Sequence, residues 1–217
     1  MTSRVYVLVI CECSQEITLA FRAKGALAYS CDIKKVERGG DKRYHIMMDA
    51  TKFLDGLKAF HTMDGRFHRV PRWDLIIAHP PCTYLCKASS VHMVIHGVIN
   101  NDRLEKMYAA RSFFLRCLDA PAPFVCVENP LPMKRALLPR ATTFVDPSWF
   151  GHKYTKKTLL WLKNLPPIMP QLIFPNPKEF VRASRGKYRA RTFHGVALAI
   201  AEQWFPIIKS YVSCKRT

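Results

Sequence analysis

The feature that most constrains this fold is a series of short apolar runs separated by segments with helical spacing. Each run is long enough for a buried strand, and polar residues follow it. The runs are Arg4 to Ile10, Leu27 to Cys31, Tyr44 to Met48, Trp73 to Ala78 and Phe124 to Val127. Helical patterns lie between them at 14–24, 51–61 and 102–118. This alternation predicts an α/β protein with a doubly wound, mostly parallel sheet.

After residue 130 the predicted elements are shorter and less regular. Two short strands, a proline-rich irregular stretch and a final apolar helix are expected at Thr143 to Val145, Thr158 to Leu162, Pro166 to Pro177 and Gly195 to Phe205. Thr83 to Asn101 has no clean period, and we expect a mobile loop there. Neither a repeat nor a long linker divides the 217 residues. The sequence therefore predicts a single domain over 1–217, with an irregular basic segment at 164–193.

The charge balance of the chain favours a polyanionic partner. Lys and Arg number 34 against 16 Asp and Glu, which gives a formal net charge of +18. Nucleic acid leads the candidates for such a surface, and a soluble protein with a merely basic surface is the plain alternative. We expect DNA as the partner and leave RNA open.

The apolar runs and the cysteines also predict a location. The apolar runs all fall short of the ~20 residues that span a bilayer. The apolar start of the chain is too short for a secretion signal. Eight cysteines without such a signal are expected to be reduced thiols. We therefore expect no membrane partner and a cytoplasmic protein, or a nuclear one in a eukaryotic cell.

A stiff turn, His79-Pro80-Pro81-Cys82, follows the fourth apolar run. Its two prolines fix the backbone twice and remove two hydrogen-bond donors. Cys82 then lies just beyond the carboxyl end of a strand, where ligands bind in open α/β sheets. A packing cysteine would more often lie inside the apolar run. The pattern therefore indicates Cys82 as a nucleophile that attacks a substrate carbon.

Acidic residues follow three of the other predicted strands. Asp32 ends the second strand and Asp49 ends the third. Asp32 fits binding of ribose hydroxyls, and Asp49 could accept a hydrogen bond from an exocyclic amine. Either acid alone is more simply a helix cap or a loop residue, but two in register favour a nucleoside cofactor. Glu128-Asn129-Pro130 follows the fifth strand.

This order of features resembles the cytosine-5 DNA methyltransferases, and more closely a compact group of phage and prophage proteins of that superfamily. Pro-Pro-Cys alone is a weak signal, and its combination with Glu-Asn in the right order on strands is a stronger one. The matching stretches are Cys11 to Gln15, Ala28 to Asp32, Trp73 to Leu85, Val127 to Pro130, Phe150 to His152, Lys157-Thr158, Leu160 to Lys163 and Arg189 to Trp204. Together they extend over most of the chain.

The resemblance implies a Rossmann-like fold that uses S-adenosylmethionine to methylate carbon 5 of cytosine in DNA. The Cys82 thiolate would add to carbon 6, which makes carbon 5 nucleophilic. Glu128 would hold ring nitrogen 3 and the exocyclic amine, and it would need a raised pKa to donate a proton. Asn129 would brace the loop. The target base must be flipped out of a duplex to reach the thiol.

The resemblance also assigns the cofactor site. Cys11, Glu12, Cys13, Ser14 and Gln15 would lie under the methionine part of the cofactor. Asp32 would bind the ribose and Asp49 the adenine amine, with His79 and Pro80 near the adenine or the sulfonium. The larger enzymes have a glycine-rich first loop, whereas this chain has no glycine before Gly25. This departure bears on cofactor binding more than on the nucleophile.

Basic clusters near the end of the chain are the candidates for nucleic-acid contact. The Gln-x-Arg-x-Arg motif of the large enzymes is absent as such. Lys156 and Lys157 occupy its expected place, and Arg189 with Arg191 is a second candidate; either cluster could bind phosphate and the base carbonyl, or form a solvated basic loop. The chain is too short for a full target-recognition domain, so we expect a short target sequence or a protein partner that supplies recognition.

Three rival interpretations bear on Cys82. A zinc site could use nearby ligands, namely His79, Cys82, Cys86, His92 and His96, but their spacing matches no common finger. A zinc-dependent deaminase is rejected, because Pro81-Cys82 is followed by Cys86 one residue too far along and no His-x-Glu precedes it. A catalytically silent or partner-dependent nucleic-acid-binding protein on the same fold remains open.

Overall fold

The computed structural model describes residues 4–180 and 191–215. The helices are α1 (Glu16–Ala23), α2 (Thr51–Leu54), α3 (Asn101–Leu118) and α4 (His194–Cys214). The strands of the main sheet are β1 (Tyr6–Ile10), β2 (Leu27–Asp32), β3 (His45–Met47), β6 (Leu75–Ala78), β9 (Phe124–Asn129), β10 (Thr143–Val145) and β12 (Thr158–Lys163). The remaining strands form small pairs: β4 (Ala59–His61) with β5 (Phe67–Arg69), β7 (Val94–Ile95) with β8 (Val98–Ile99), and β11 (Tyr154–Thr155) with β13 (Lys178–Glu179).

The main sheet has the order β10-β12-β9-β6-β1-β2-β3. The pairs from β9 through β6, β1 and β2 to β3 are all parallel. Strand β12 runs antiparallel to both of its neighbours. The predicted α/β architecture with a mostly parallel sheet is therefore confirmed.

Apolar side chains alternate between the two faces of the sheet, and each face has its own core. In β1, Val7 and Val9 pack in a core with α1 and α4, where Trp204 is fully buried. Leu8 and Ile10 point to the other core, which contains Phe114 of α3. Helices on both faces are the reason that the central strands are apolar without interruption.

The strand order reverses between β1 and β6. The chain runs outward from β1 through β2 to β3, and then returns to place β6 on the other side of β1. The crevice outside the carboxyl ends of two such strands is the usual ligand site of an open α/β sheet. In this chain, Cys11 follows β1 and His79 follows β6 at that position.

Two predicted helix boundaries are wrong. The helix expected over 51–61 ends at Leu54, and Ala59–His61 forms a hairpin with Phe67–Arg69. The hairpin is stabilised because the Phe60 ring stacks on Trp73 at 5.9 Å between centroids, a contact that helical spacing does not reveal. The last helix runs to Cys214, since the solvent-exposed Pro206 is accommodated inside it.

The segment expected to be a mobile loop, Thr83 to Asn101, contains local structure. It holds a 3₁₀ turn at Lys87–His92 and the short β7–β8 hairpin. The helix after it is capped by Asn100, whose side-chain oxygen accepts a hydrogen bond from the Arg103 backbone at 3.1 Å.

Over the described ranges, the helices are either too short or too polar to cross a membrane.

Candidate active site

A cavity of about 600 Å³ opens at the carboxyl ends of the parallel strands. Its walls come from the loops after β1, β2, β3 and β6, together with α3 and the segment before α4. The lining residues are Cys11, Glu12, Cys13, Ser14, Asp32, Ile33, Lys34, Glu37, Asp49, Ala50, Thr51, His79, Pro81, Cys82, Thr83, Phe113, Arg191 and Thr192. Cys82 and most of the predicted cofactor residues therefore meet at one cavity.

The cavity is acidic although the chain is strongly basic. Four carboxyl side chains line it, those of Glu12, Asp32, Glu37 and Asp49, against the cations Lys34 and Arg191. The whole sequence has only 16 acidic residues and a net charge of +18. A concentration of carboxylates in such a chain favours a ligand with positive charge, because like charges so close together are otherwise unfavourable.

Glu12 lines the cavity and also holds the start of α1. Its carboxylate accepts hydrogen bonds from the backbone of Ile17 at 2.8 Å and of Thr18 at 3.3 Å, and from the Thr18 hydroxyl at 2.6 Å. A carboxylate at a helix N-terminus satisfies free N–H groups and complements the helix dipole. Burial nevertheless raises the pKa of Glu12.

The loop after β1 turns without glycine. Cys11 has φ 60° and Gln15 has φ 61°, both in the left-handed region. Gln15 faces away from the cavity and is fully buried; its amide donates to Ser30 and to the Asp41 carbonyl, and its oxygen accepts from the Asp41 backbone at 2.6 Å. Gln15 thus anchors the loop before β3, and it is absent from the cavity wall where it was expected.

The two acids predicted to bind a nucleoside both lie on the cavity wall. Asp32 accepts a hydrogen bond from the Lys34 backbone, and Asp49 accepts one from the Thr51 backbone, each at 2.9 Å. The bond from Thr51 holds the pKa of Asp49 below its usual value. Asp49 therefore combines a capping role at α2 with a place on the wall, and the ligand roles of both acids stay predictions.

Cys82 is paired with a second thiol, Cys86, one turn further along the chain. The Cys86 backbone donates to the Cys82 carbonyl at 2.9 Å, which closes a helical turn and brings the two thiols close together. The neighbouring Cys82 thiol lowers the pKa of Cys86 to about 5, and Cys86 together with burial raises the pKa of Cys82. Cys86 is therefore the thiol of the pair that loses its proton more readily.

The loop that carries Cys82 is tied to the loop after β9. The Lys87 backbone donates to Leu131 at 2.8 Å, and the Met133 backbone donates to Leu85 at 2.7 Å. The buried Asn129 amide donates to the Pro80 carbonyl at 3.2 Å. Pro80 itself is buried and lies behind the cavity wall, which Pro81 forms in its place. These bonds fix the position of the thiol relative to β9.

Glu128 contacts His79 and is absent from the residues that line the main cavity. His79 Nδ1 lies 3.4 Å from Glu128 Oε2, and both side chains are largely buried, at 13% and 14% exposure. Although burial opposes it, the nearby imidazole lowers the pKa of Glu128, and the nearby carboxylate raises that of His79. We expected a raised pKa for Glu128, and the structure gives the opposite direction because His79 supplies a partner charge.

The predicted nucleic-acid residues divide into separate places. Lys156 lies beside Glu128 in a small second cavity, whereas Lys157 is exposed, with its ammonium 4.2 Å from the centre of the Phe144 ring. Arg191 lines the main cavity and pairs with Glu16 at 2.9 Å. Arg189 lies outside the described residues. Arg191 is therefore placed to meet a ligand in the cavity.

Sequence reasoning missed Cys86 as the thiol partner and Glu37 as a cavity acid. The spacing of four residues between Cys82 and Cys86 was a usable signal, since it matches one helical turn. Glu37 gave no local signal in the sequence, because a contact with a distant residue brings it to the site. Its backbone N–H donates to the Cys13 carbonyl at 2.8 Å. Within residues 4–180 and 191–215, no three His, Cys, Asp or Glu side chains are arranged to hold a metal ion.

Comparison with known proteins gives similarity only at the level of solved structures. Neither a protein-family model nor a curated protein matches the chain. One similar structure is a DNA modification methyltransferase encoded within a prophage of E. coli, with 14% identity over 79% of this chain and 52% of that one, and a TM-score of 0.41. Another is the Entamoeba histolytica methyltransferase EhMeth, with 12% identity over 81% of this chain and 57% of that one, and a TM-score of 0.39. The chain spans little more than half the length of either.

Proposed function

We propose that this protein transfers a methyl group from S-adenosylmethionine to carbon 5 of cytosine in DNA through a covalent adduct with Cys82. The observation that carries the proposal is the acidic cavity of a basic protein, with a thiol on its wall. A cationic nucleoside cofactor and an electrophilic base bound side by side account for both features.

The cavity residues fit S-adenosylmethionine by charge and by hydrogen-bonding type. The cofactor has ribose hydroxyls that suit Asp32, an adenine amine that suits Asp49, an ammonium that suits Glu37 and a carboxylate that suits Arg191. A volume of about 600 Å³ is within the range of small-molecule sites. When bound, the cofactor supplies an electrophilic methyl group. The residues of this chain orient it and keep the carboxylates near its positive charge.

Cys82 supplies the nucleophile in this proposal. Its thiolate would form a bond to carbon 6 of cytosine, and the ring electrons would move toward nitrogen 3 as that nitrogen takes a proton. Carbon 5 then becomes nucleophilic and accepts the methyl group. Loss of the proton from carbon 5 to solvent, loss of the added proton from nitrogen 3 and breaking of the sulfur–carbon bond would release the methylated base and restore the thiolate. Cys86, the neighbouring thiol whose pKa is lowered, would take the proton of the Cys82 thiol before the first step.

Glu128 and Asn129 would hold the target base and the loop around it. As a carboxylate, Glu128 can accept a hydrogen bond from the exocyclic amine of cytosine. Asn129 braces the Cys82 turn through the Pro80 carbonyl. The exposed Lys157 and the overall charge of +18 suit the phosphate backbone of DNA, and a protein partner could contribute target recognition.

The proposal is tested by trapping with DNA that contains 5-fluorocytosine. Fluorine at carbon 5 blocks the final elimination, so methyl transfer leaves the enzyme covalently attached to the DNA. We expect a denaturation-resistant adduct with the wild-type protein and S-adenosylmethionine, and none without the cofactor. Cys82→Ala should abolish the adduct, and Cys214→Ala, which changes a thiol outside the cavity, should retain it.

Failure to trap favours the alternative of a silent nucleic-acid-binding protein. That alternative predicts tight, salt-sensitive binding to DNA, no adduct under any condition, and the same DNA affinity for wild type and Cys82→Ala. An adduct that survives in Cys82→Ala would contradict the assignment of the nucleophile.

A further inference from the structure

We propose that His79 is a positioning residue that holds the proton delivered through Glu128 to nitrogen 3 of the target cytosine. This inference rests on the proposed function and gives His79 a part in the chemistry beyond packing near the cofactor. It answers a difficulty in the site: a carboxylate whose partner keeps it ionised has no proton of its own to give.

The geometry places the two side chains in ion-pair contact. Ala78 and Val127 are paired in register on β6 and β9, so the next residues along, His79 and Glu128, emerge side by side at the same edge. The closest atoms, Nδ1 of His79 and Oε2 of Glu128, are 3.4 Å apart. The turn is held in place, because the His79 backbone donates to the Ile10 carbonyl at 3.1 Å.

The charges around His79 favour the imidazolium. Glu128 on β9 and Glu12 in the loop after β1 stabilise its positive charge, whereas Lys156 before β12 and burial oppose it; the carboxylates prevail and the pKa of His79 is raised. Its Nε2 is buried and has no hydrogen-bond partner among the described residues. The His79 side chain also lines the main cavity.

The proton balance follows from this pairing. As the Cys82 sulfur bonds to carbon 6, nitrogen 3 gains electron density and takes a proton from the Glu128 carboxyl. Glu128 takes the Nδ1 proton of His79, so the net change is one proton moved from imidazolium to base and a neutral imidazole. When the sulfur–carbon bond breaks, the proton returns along the same path. No oxidant or further reactant is required.

The protonation state of His79 can be measured without activity. In ¹⁵N-histidine-labelled protein, long-range ¹H–¹⁵N spectra distinguish imidazolium from neutral imidazole, and His79→Gln assigns the signal. We expect imidazolium in the wild type at pH 7, and in Glu128→Gln a titration midpoint lower by about one pH unit or more. His45, a buried histidine bonded to Ser30 at 2.8 Å, is an internal reference whose signal should not move. A neutral His79 in the wild type at pH 7, or an unchanged midpoint in Glu128→Gln, would overturn the proposal.

The pH profile of 5-fluorocytosine adduct formation gives the second readout. A raised His79 pKa means that the proton is present at low pH and is lost as pH rises through that pKa, so the wild-type rate should fall on the alkaline side. His79→Gln should be slower by about tenfold or more at neutral pH and should lack that alkaline limb. An unchanged profile in His79→Gln would count against the proposal. Absence of any wild-type adduct would instead refute the proposed function, while the spectra still decide where the proton lies.

Discussion

At the scale of single residues, the thiol pair is the most unusual feature of the site. Burial raises the pKa of a lone cysteine and makes it a poor nucleophile. Cys117 and Cys126 in the two cores have pKa values raised in this way. The pKa of Cys82 is raised as well, by its neighbour Cys86 and by burial, whereas the pKa of Cys86 is lowered to about 5. Cys86 therefore ionises more readily than Cys82 and lies close enough to take its proton.

Replacing Cys86 with Ala should make Cys82 easier to deprotonate, because the neighbouring Cys86 is the largest cause that raises the pKa of Cys82. We expect the midpoint of iodoacetamide labelling at Cys82 to move to lower pH in the variant, toward the range of an ordinary thiol pKa at about 8.5. Fragmentation mass spectrometry of the peptide, which separates label on Cys82 from label on Cys86, measures this midpoint at a series of pH values. Labelling of Cys13 serves as the control, and equal midpoints at Cys82 in both proteins would show that Cys86 does not raise its pKa.

The residues that carry chemistry could be predicted from sequence where they follow a strand, and their partners could not. Cys82, Asp32 and Asp49 were placed at strand ends by the apolar pattern, and they do line one cavity. The contact between His79 and Glu128 joins positions 49 residues apart through neighbouring strands. Its effect on the pKa of Glu128 depends on side-chain positions, which periodicity does not specify.

At the scale of elements, the site is held by loops that bind one another through backbone bonds. The start of α4 is one such support. The Gly195 backbone donates to His152 Nε2 at 3.0 Å, and a Cβ at Gly195 would lie 2.6 Å from the Phe150 carbonyl. This close approach fixes the segment before α4, where Arg191 and Thr192 meet the cavity.

Gly195→Ala should therefore destabilise the protein, although alanine is the better helix former. Helix propensity alone would stabilise by up to about 1 kcal/mol, but the collision with a backbone atom should dominate and cost about 1–3 kcal/mol. Urea unfolding measures the sign of the change in the free energy of unfolding. Lys209→Ala, an exposed change on the same helix, should stay within about 0.5 kcal/mol. A more stable Gly195→Ala protein would show that the backbone at Phe150 shifts at little cost to make room for the added methyl group.

The same scale explains the predicted elements that proved wrong. The run at 51–61 has helical spacing, yet a short apolar stretch is ambiguous between helix and strand. Packing of Phe60 against Tyr29 and Trp73 decides for a hairpin. The continuous apolar runs of β1 and β9 and the long helical period of α3 gave the correct element type, because burial of one or both faces requires those patterns.

At the scale of the whole molecule, charge is divided between surface and cavity. The chain has a net charge of +18, whereas the cavity wall has four carboxyl groups against two cations of lysine and arginine. Such a division suits a polyanion outside and a cationic ligand inside. Sequence composition predicted the basic net charge of the molecule. It did not predict the acidic cavity, which depends on the fold that brings Glu37 to the same wall as Asp32 and Asp49.

If DNA binds on the cavity side, Lys157 should contribute to its salt dependence. Removing one phosphate contact lowers the slope of log binding constant against log salt by about 0.9. We expect that decrease for Lys157→Ala in fluorescence anisotropy with duplex DNA. Lys24→Ala, which changes an exposed lysine at the opposite edge of the sheet just after α1, should keep the wild-type slope. Equal losses for both variants would indicate a diffuse surface charge with no defined DNA face.

The proposed activity, methyl transfer to carbon 5 of cytosine by Cys82, leaves a product that can be measured directly. The measurement is chromatography and mass spectrometry of nucleosides from DNA of cells that express the protein and otherwise lack cytosine methylation. We expect 5-methyldeoxycytidine, resolved from its N4-methyl isomer, with wild-type protein and none with equally expressed Cys82→Ser. Absence of 5-methyldeoxycytidine with the wild type, or equal amounts with both proteins, would contradict the proposed activity.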